Sequence, residues 1–201
     1  MRITDAQLEE LRTTGWVVCP GFLTPEELAA CREGVFESGL PRPDEYFAGQ
    51  QASAGADGEK GGQFDFFANF PFGSDAINRM LLHPHLIDAA QRFLGGEVRF
   101  CKGELMGKYA GAADYEQTLH RDYGNHTLLV PRADRAYTEL TTFIYLSDVT
   151  VANGATALVP RTVSDERVPL GVTRPADPED VAALRAEEQC AAPQALGATC
   201  T

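Results

Sequence analysis

Residues 138–159, TELTTFIYLSDVTVANGATALV, decide the fold class. From Thr138 to Leu146 the chain alternates, with Leu140, Ile144 and Leu146 on one side of an extended backbone and Thr141, Phe143 and Tyr145 on the other. Successive strand side chains point to opposite faces, so this period of two predicts a half-buried strand. Asn153-Gly154 supplies residues that accept the positive φ of a tight hairpin, and Ala155 to Val159 is then the returning strand. Shorter strand signals lie upstream, at Val98-Arg99-Phe100-Cys101 and Leu105 to Tyr109.

Toward the N-terminus the texture is helical. Thr4 and Gln7 fit a capping box for a first helix, with Leu8 and Leu11 on its apolar side and Gly15 as its stop. Trp16 to Cys19 predicts a short strand closed by Pro20-Gly21. A second helix starts after Thr24, with Pro25 in its first position and Glu27 completing T-x-x-E. Asp75 to Leu94 is helical in pattern, broken at His83-Pro84 and stopped by Gly95-Gly96. Asp177-Pro178-Glu179-Asp180 opens a last helix through Glu188. Helices first and strands after predict an α+β or mainly β fold. Residues 1–188 are expected to form a single domain, and the aperiodic QCAAPQALGATCT of 189–201 an irregular tail.

Gly49 to Gln63, GQQASAGADGEKGGQ, holds no large apolar residue and predicts a flexible loop inside that domain. Phe64, Phe66, Phe67, Phe70 and Phe72 follow at once. Two readings stand for them: plain core, or the wall of a pocket under a lid.

Composition removes several classes. The chain of 201 residues carries 17 Lys and Arg against 29 Asp and Glu, a formal charge of -12, opposite to what a phosphate-tracking surface needs. No apolar run reaches the length of a membrane span, and MRITDAQLEE lacks the apolar core of a signal peptide. Five cysteines, at 19, 31, 101, 190 and 200, are odd in number and never in CxxC. They predict reduced thiols in a cytoplasmic protein rather than a disulfide framework or a zinc site. Neither nucleic acid nor membrane is expected as a partner.

His120-Arg121-Asp122 is the tripeptide with metal chemistry in it. In a strand, residues two apart share a face, so His120 and Asp122 can reach one ion. A neutral imidazole and a carboxylate are two-thirds of the facial triad of non-haem Fe(II) oxygenases. Taken alone, the same tripeptide also reads as a solvated His–Asp pair.

Four stretches together resemble the phytanoyl-CoA dioxygenase family: GWVVCPGFLTPEEL (15–28), HPHLIDAAQRFLG (83–95), QTLHRDYGNH (117–126) and TTFIYLSDVTVANGATALVP (141–160). The resemblance runs in the family's order from about Ile3 to about Glu188. It implies an Fe(II)- and 2-oxoglutarate-dependent dioxygenase on a double-stranded β-helix, a cupin-like jelly roll, hydroxylating an aliphatic C–H of a small-molecule substrate. His120 and Asp122 match the first two iron ligands. Lys108 sits where related enzymes contact 2-oxoglutarate, and its charge suits a carboxylate; read as a residue alone, it is a strand-edge lysine. Phe143 matches an aromatic that flanks the cosubstrate in some members, against a second reading as core. Gln117 and Lys102 are further pocket candidates, each with a surface or sheet reading. The match of 83–95 to a family helix gives His83 and His85 structural duty.

One departure stands beside the match. The resemblance implies late strands carrying a distal iron-binding histidine and an arginine for the far carboxylate of 2-oxoglutarate, yet no histidine follows His126. His126 lies six residues past His120, about 20 Å along a continuing strand, too far to share an ion. The jelly roll is therefore expected to be incomplete at its C-terminus. The alternative function is a truncated or degenerate member that binds a ligand or partner without catalysis. Val159-Pro160-Arg161-Thr162-Val163 also departs from the VPGSH of many members.

Overall fold

The computed structural model describes residues 2–53, 66–112, 118–121, 139–150, 154–169, 172 and 174–190. Its helices are α1 (Asp5–Thr14), α2 (Pro25–Glu37), α3 (Pro43–Ser53), α4 (Asp75–Leu81), α5 (Pro84–Leu94), α6 (Arg161–Arg167) and α7 (Pro178–Ala186). Its strands are β1 (Phe66–Asn69), β2 (Glu104–Gly107), β3 (Ala157–Leu158) and β4 (Gln189–Cys190). The chain divides into two compact units, one of Met1–Phe22, Ile87–Val98 and Gln117–Thr201, the other of Leu23–Leu86 and Arg99–Glu116. Among the described residues no helix is long and apolar enough to cross a membrane.

In the first unit, α1 forms because both of its ends are satisfied locally. The Thr4 side chain accepts from Gln7 N–H while Gln7 Oε1 accepts from Thr4 N–H, so two otherwise unpaired donors are closed reciprocally. Gly15, at φ 88°, ends the helix by donating its N–H to Leu11 O. The C-terminal part of α5 is fastened to α1 by two arginines. Arg92 donates to Ile3 O and to Asp5 at 2.8 Å, and Arg12 donates to Arg92 O and Phe93 O with its guanidinium 5.1 Å from the Phe93 ring centre. A cation against the carbonyls that close a helix meets the negative end of its dipole. Buried apolar residues of this unit include Leu8, Ala89, Phe93, Val168 and Leu184. β3 and β4 pair antiparallel, Ala157 opposite Cys190 and Leu158 opposite Gln189.

In the second unit, α2 repeats the capping logic with Thr24, Glu27 and Pro25. It packs on α4 at Gly34, where an added Cβ would lie 3.1 Å from Ile77 Cγ1 and closer still to Ser74 Oγ. Only a residue without Cβ lets the helices approach this closely. Cys31, Val35, Phe72, Ile77 and Met80 are buried in this unit. β1 and β2 pair antiparallel with Phe66 opposite Gly107 and Phe67 opposite Met106. Tyr46 of α3 stacks on Tyr109 with ring centres 3.8 Å apart.

The structure differs from the sequence reading at several elements. Trp16–Cys19, Val98–Cys101 and residues 139–146 carry no strand ladder among the described residues. Alternation supplies a face, but a strand also needs a neighbour to hydrogen-bond with. Asn153 lies outside the described residues; beside it Gly154 has φ 90°, Ala155 N–H donates to Thr150 O, and the Tyr145 hydroxyl donates to Thr156 Oγ1 at 2.7 Å. The returning residues 157–158 pair with 189–190 instead, so the first two residues of the expected tail form a strand. Residues 49–53, expected as loop, belong to α3, whose first turn carries Asp44 and Glu45; residues 54–63 lie outside the described residues. The expected interruption at His83-Pro84 separates α4 from α5. Phe72 is buried while Phe67 is 49% exposed, and Phe64 lies outside the described residues.

Candidate functional site

His120 belongs to the first unit, in an irregular segment, 118–121, and is half-buried. Its Nδ1 lies 2.9 Å from the carbonyl oxygen of Thr118. A carbonyl only accepts, so Nδ1 carries a proton, and in the neutral form of the ring the lone pair is then on Nε2. That is the form in which histidine ligates a metal while a backbone carbonyl fixes its other nitrogen. The donor at position 120 therefore fits Fe(II). Asp122, Gln117 and His126 lie outside the described residues, and among the described residues no three His, Cys, Asp or Glu side chains gather around one point.

Arg121, which the sequence reading passed over, is the best anchored side chain of the segment, at 17% exposed. It donates to Asp165 Oδ1 at 2.9 Å, to Ser164 O at 3.2 Å and to Pro169 O at 3.4 Å. The second oxygen of Asp165 accepts from Arg161 at 3.0 Å. All three acceptor residues and Arg161 come from α6 or the turn just after it. α6 escapes a local reading because Pro160 caps it without a side-chain bond and none of its residues is buried. It starts where the sequence departs from VPGSH.

Phe143 shares the unit of His120 and is 55% exposed, so the core reading of this residue is not what the structure shows. Lys108 belongs to the second unit and follows β2 directly. The residue is exposed overall, yet partial burial lowers its pKa below the ordinary lysine value of 10.5. Desolvation disfavours the ammonium. Lys102 is tied to Glu104 at 3.0 Å, in keeping with a surface role.

His83 and His85 are engaged within the second unit. His83 Nδ1 accepts from His85 N–H at 3.1 Å, and its Nε2 lies 3.4 Å from Glu27 Oε1. Glu27 thereby serves both the α2 cap and this imidazole. An open cleft of about 520 Å³ runs past Glu27, Phe70, Asn78 and His83, and its lining holds neither Lys108 nor Lys102.

A family model described as phytanoyl-CoA dioxygenase (PhyH) matches residues 11–194. No curated protein and no solved structure matches the chain.

Proposed function

The chain belongs to the phytanoyl-CoA dioxygenase family, and from that premise we propose that it is an Fe(II)- and 2-oxoglutarate-dependent dioxygenase hydroxylating an aliphatic C–H of a small-molecule substrate in the cytoplasm. The scaffold proposed for it is the double-stranded β-helix. The observation that carries the reading is the His120 tautomer inside His120-Arg121-Asp122, with Nδ1–H on the Thr118 carbonyl and the lone pair on Nε2.

Fe(II) with 2-oxoglutarate and O2 supplies an oxidant able to convert C–H to C–OH, the cosubstrate leaving as succinate and CO2. The protein's part is holding and excluding. His120 offers Nε2, and Asp122 a carboxylate two residues on that neutralises part of the ion's charge. Lys108 is the proposed cation for a carboxylate of 2-oxoglutarate, Phe143 an apolar flank and Gln117 an amide for the polar end of a ligand. Within residues 1–201 the histidines are at 83, 85, 120 and 126. The second reading is ligand or partner binding without turnover.

Anaerobic titration of the chain with Fe(II) and 2-oxoglutarate separates the two. A saturable visible charge-transfer band, lost in His120→Ala and in Asp122→Ala, is the result expected. A cooperatively folded chain with no band refutes the dioxygenase reading and leaves the second.

A further inference from the structure

Arg121 stands between the two proposed ligands, and its guanidinium points into protein. Among the described residues it donates to Asp165 Oδ1, Ser164 O and Pro169 O, at 2.9, 3.2 and 3.4 Å. Ser164 O already closes the last turn of α6 by accepting from Val168 N–H at 2.9 Å, so Arg121 is a second donor on that turn. The Asp165 carboxylate is held from both sides, Oδ1 by Arg121 and Oδ2 by Arg161 at 3.0 Å. A planar fork with several fixed donors leaves its own Cα little freedom when three of its acceptors are tied to one helix end. The neighbouring residue inherits that restraint through the backbone. His120 is thus held twice, by its own Nδ1–H on Thr118 O and by the anchorage of the next Cα.

We propose that Arg121 is a positioning residue: through Asp165 and the last turn of α6 it locks the backbone from which His120 presents its Nε2 to a divalent cation. The proposal rests on the dioxygenase reading for the identity of the cation, and on the contacts above for the lock. Metal sites lose 10- to 100-fold in affinity when groups that orient their ligands are removed.

The test uses the full chain, with Co(II) as the spectroscopic probe of the divalent site. Arg121→Met, Arg121→Lys, Asp165→Asn and the double variant Arg121→Met/Asp165→Asn are compared by anaerobic Co(II) titration, by amide hydrogen exchange of the peptide carrying 118–121, and by thermal unfolding. Arg167→Met is the control, because Arg167 also belongs to α6 but pairs with Asp180 at 3.1 Å. Arg121→Met is expected to weaken Co(II) about 10- to 100-fold and to speed exchange at 118–121. The double variant should be no worse than Arg121→Met alone, since both changes remove one interaction. Arg121→Lys should recover only part of the affinity, because a point charge replaces the fork.

Unchanged affinity and exchange in Arg121→Met would overturn the proposal. So would an equal loss in Arg167→Met, which would mark general loosening of α6. Should Arg121→Met not fold, Arg121→Lys and Asp165→Asn carry the same comparison. If the parent chain shows no His120-dependent Co(II) binding, the dioxygenase reading fails, and exchange at 118–121 alone decides whether Arg121 is the lock.

Discussion

The Thr118 carbonyl oxygen and His120 Nδ1 lie 2.9 Å apart, and this contact fixes which ring nitrogen carries the proton. The expected consequence is visible without any metal. Nitrogen-15 correlation spectra of the neutral ring should show Nδ1 as the protonated nitrogen and Nε2 as the bare one. The opposite tautomer would place a proton where the ligand lone pair is required and would sink the assignment of His120 to iron.

Lys108 gives a pH dependence of definite sign. Its pKa is lowered by burial, so its charge is lost at a lower pH than an ordinary lysine's 10.5. The cost of holding the buried charge weighs on the folded state below that lowered pKa and disappears as pH rises past 10.5. On the proposed reading 2-oxoglutarate pairs with the charged form, so affinity should fall as pH climbs through the lowered value, starting below 10.5. Lys108→Met should weaken 2-oxoglutarate by about 10- to 100-fold at neutral pH, the worth of a charge-assisted hydrogen bond, without destabilising the fold. Isothermal titration at several pH values beside urea unfolding checks both; a flat profile with unchanged affinity would remove Lys108 from the site.

Gly34 sits where α2 meets Ser74 and Ile77, with no room for a methyl group. Gly34→Ala gains helix propensity but overpacks this contact, and overpacking should win. Urea denaturation is expected to report a loss of about 1–3 kcal/mol. A stabilised variant would mean that α2 and α4 pack less closely than described.

The cysteines should separate under alkylation. Cys101 is exposed, Cys31 is 2% exposed and Cys19 is intermediate. Burial raises the Cys31 pKa, with Glu27 adding to it, and burial with Glu10 does the same for Cys19. Since the thiolate is the reactive form, Cys101 should be labelled by iodoacetamide ahead of Cys31 and Cys19 in the folded chain at mildly alkaline pH. Peptide mapping of the labelled protein checks the order, and equal rates would contradict the packing of α2 on α4.

What was legible in the sequence follows the range over which each feature is determined. The caps of α1 and α2 involve residues three apart, and Thr4, Gln7, Thr24 and Glu27 do what their types and spacing demand. The break between α4 and α5 needs only His83-Pro84. The pairing of β3 with β4 joins residue 157 to residue 190, and no local pattern announces it. α3 starts at Pro43 with Asp44 and Glu45 in its first turn, a start that the reading of 49–63 as loop left out. At the candidate site, His120 was readable because its tripeptide is contiguous. Arg121 was not, because Asp165 lies 44 residues away on a helix with no apolar stripe.

The arginine clasp between α1 and α5 also sets a schedule for synthesis. Asp5 meets Arg92 across a separation of 87 residues, and Arg12 reaches Phe93 across 81. At about 5–20 residues per second, a ribosome leaves α1 waiting several seconds or more for its partner to emerge. During that interval α1 has its own caps but lacks the Arg92 and Phe93 contacts that fasten it to α5.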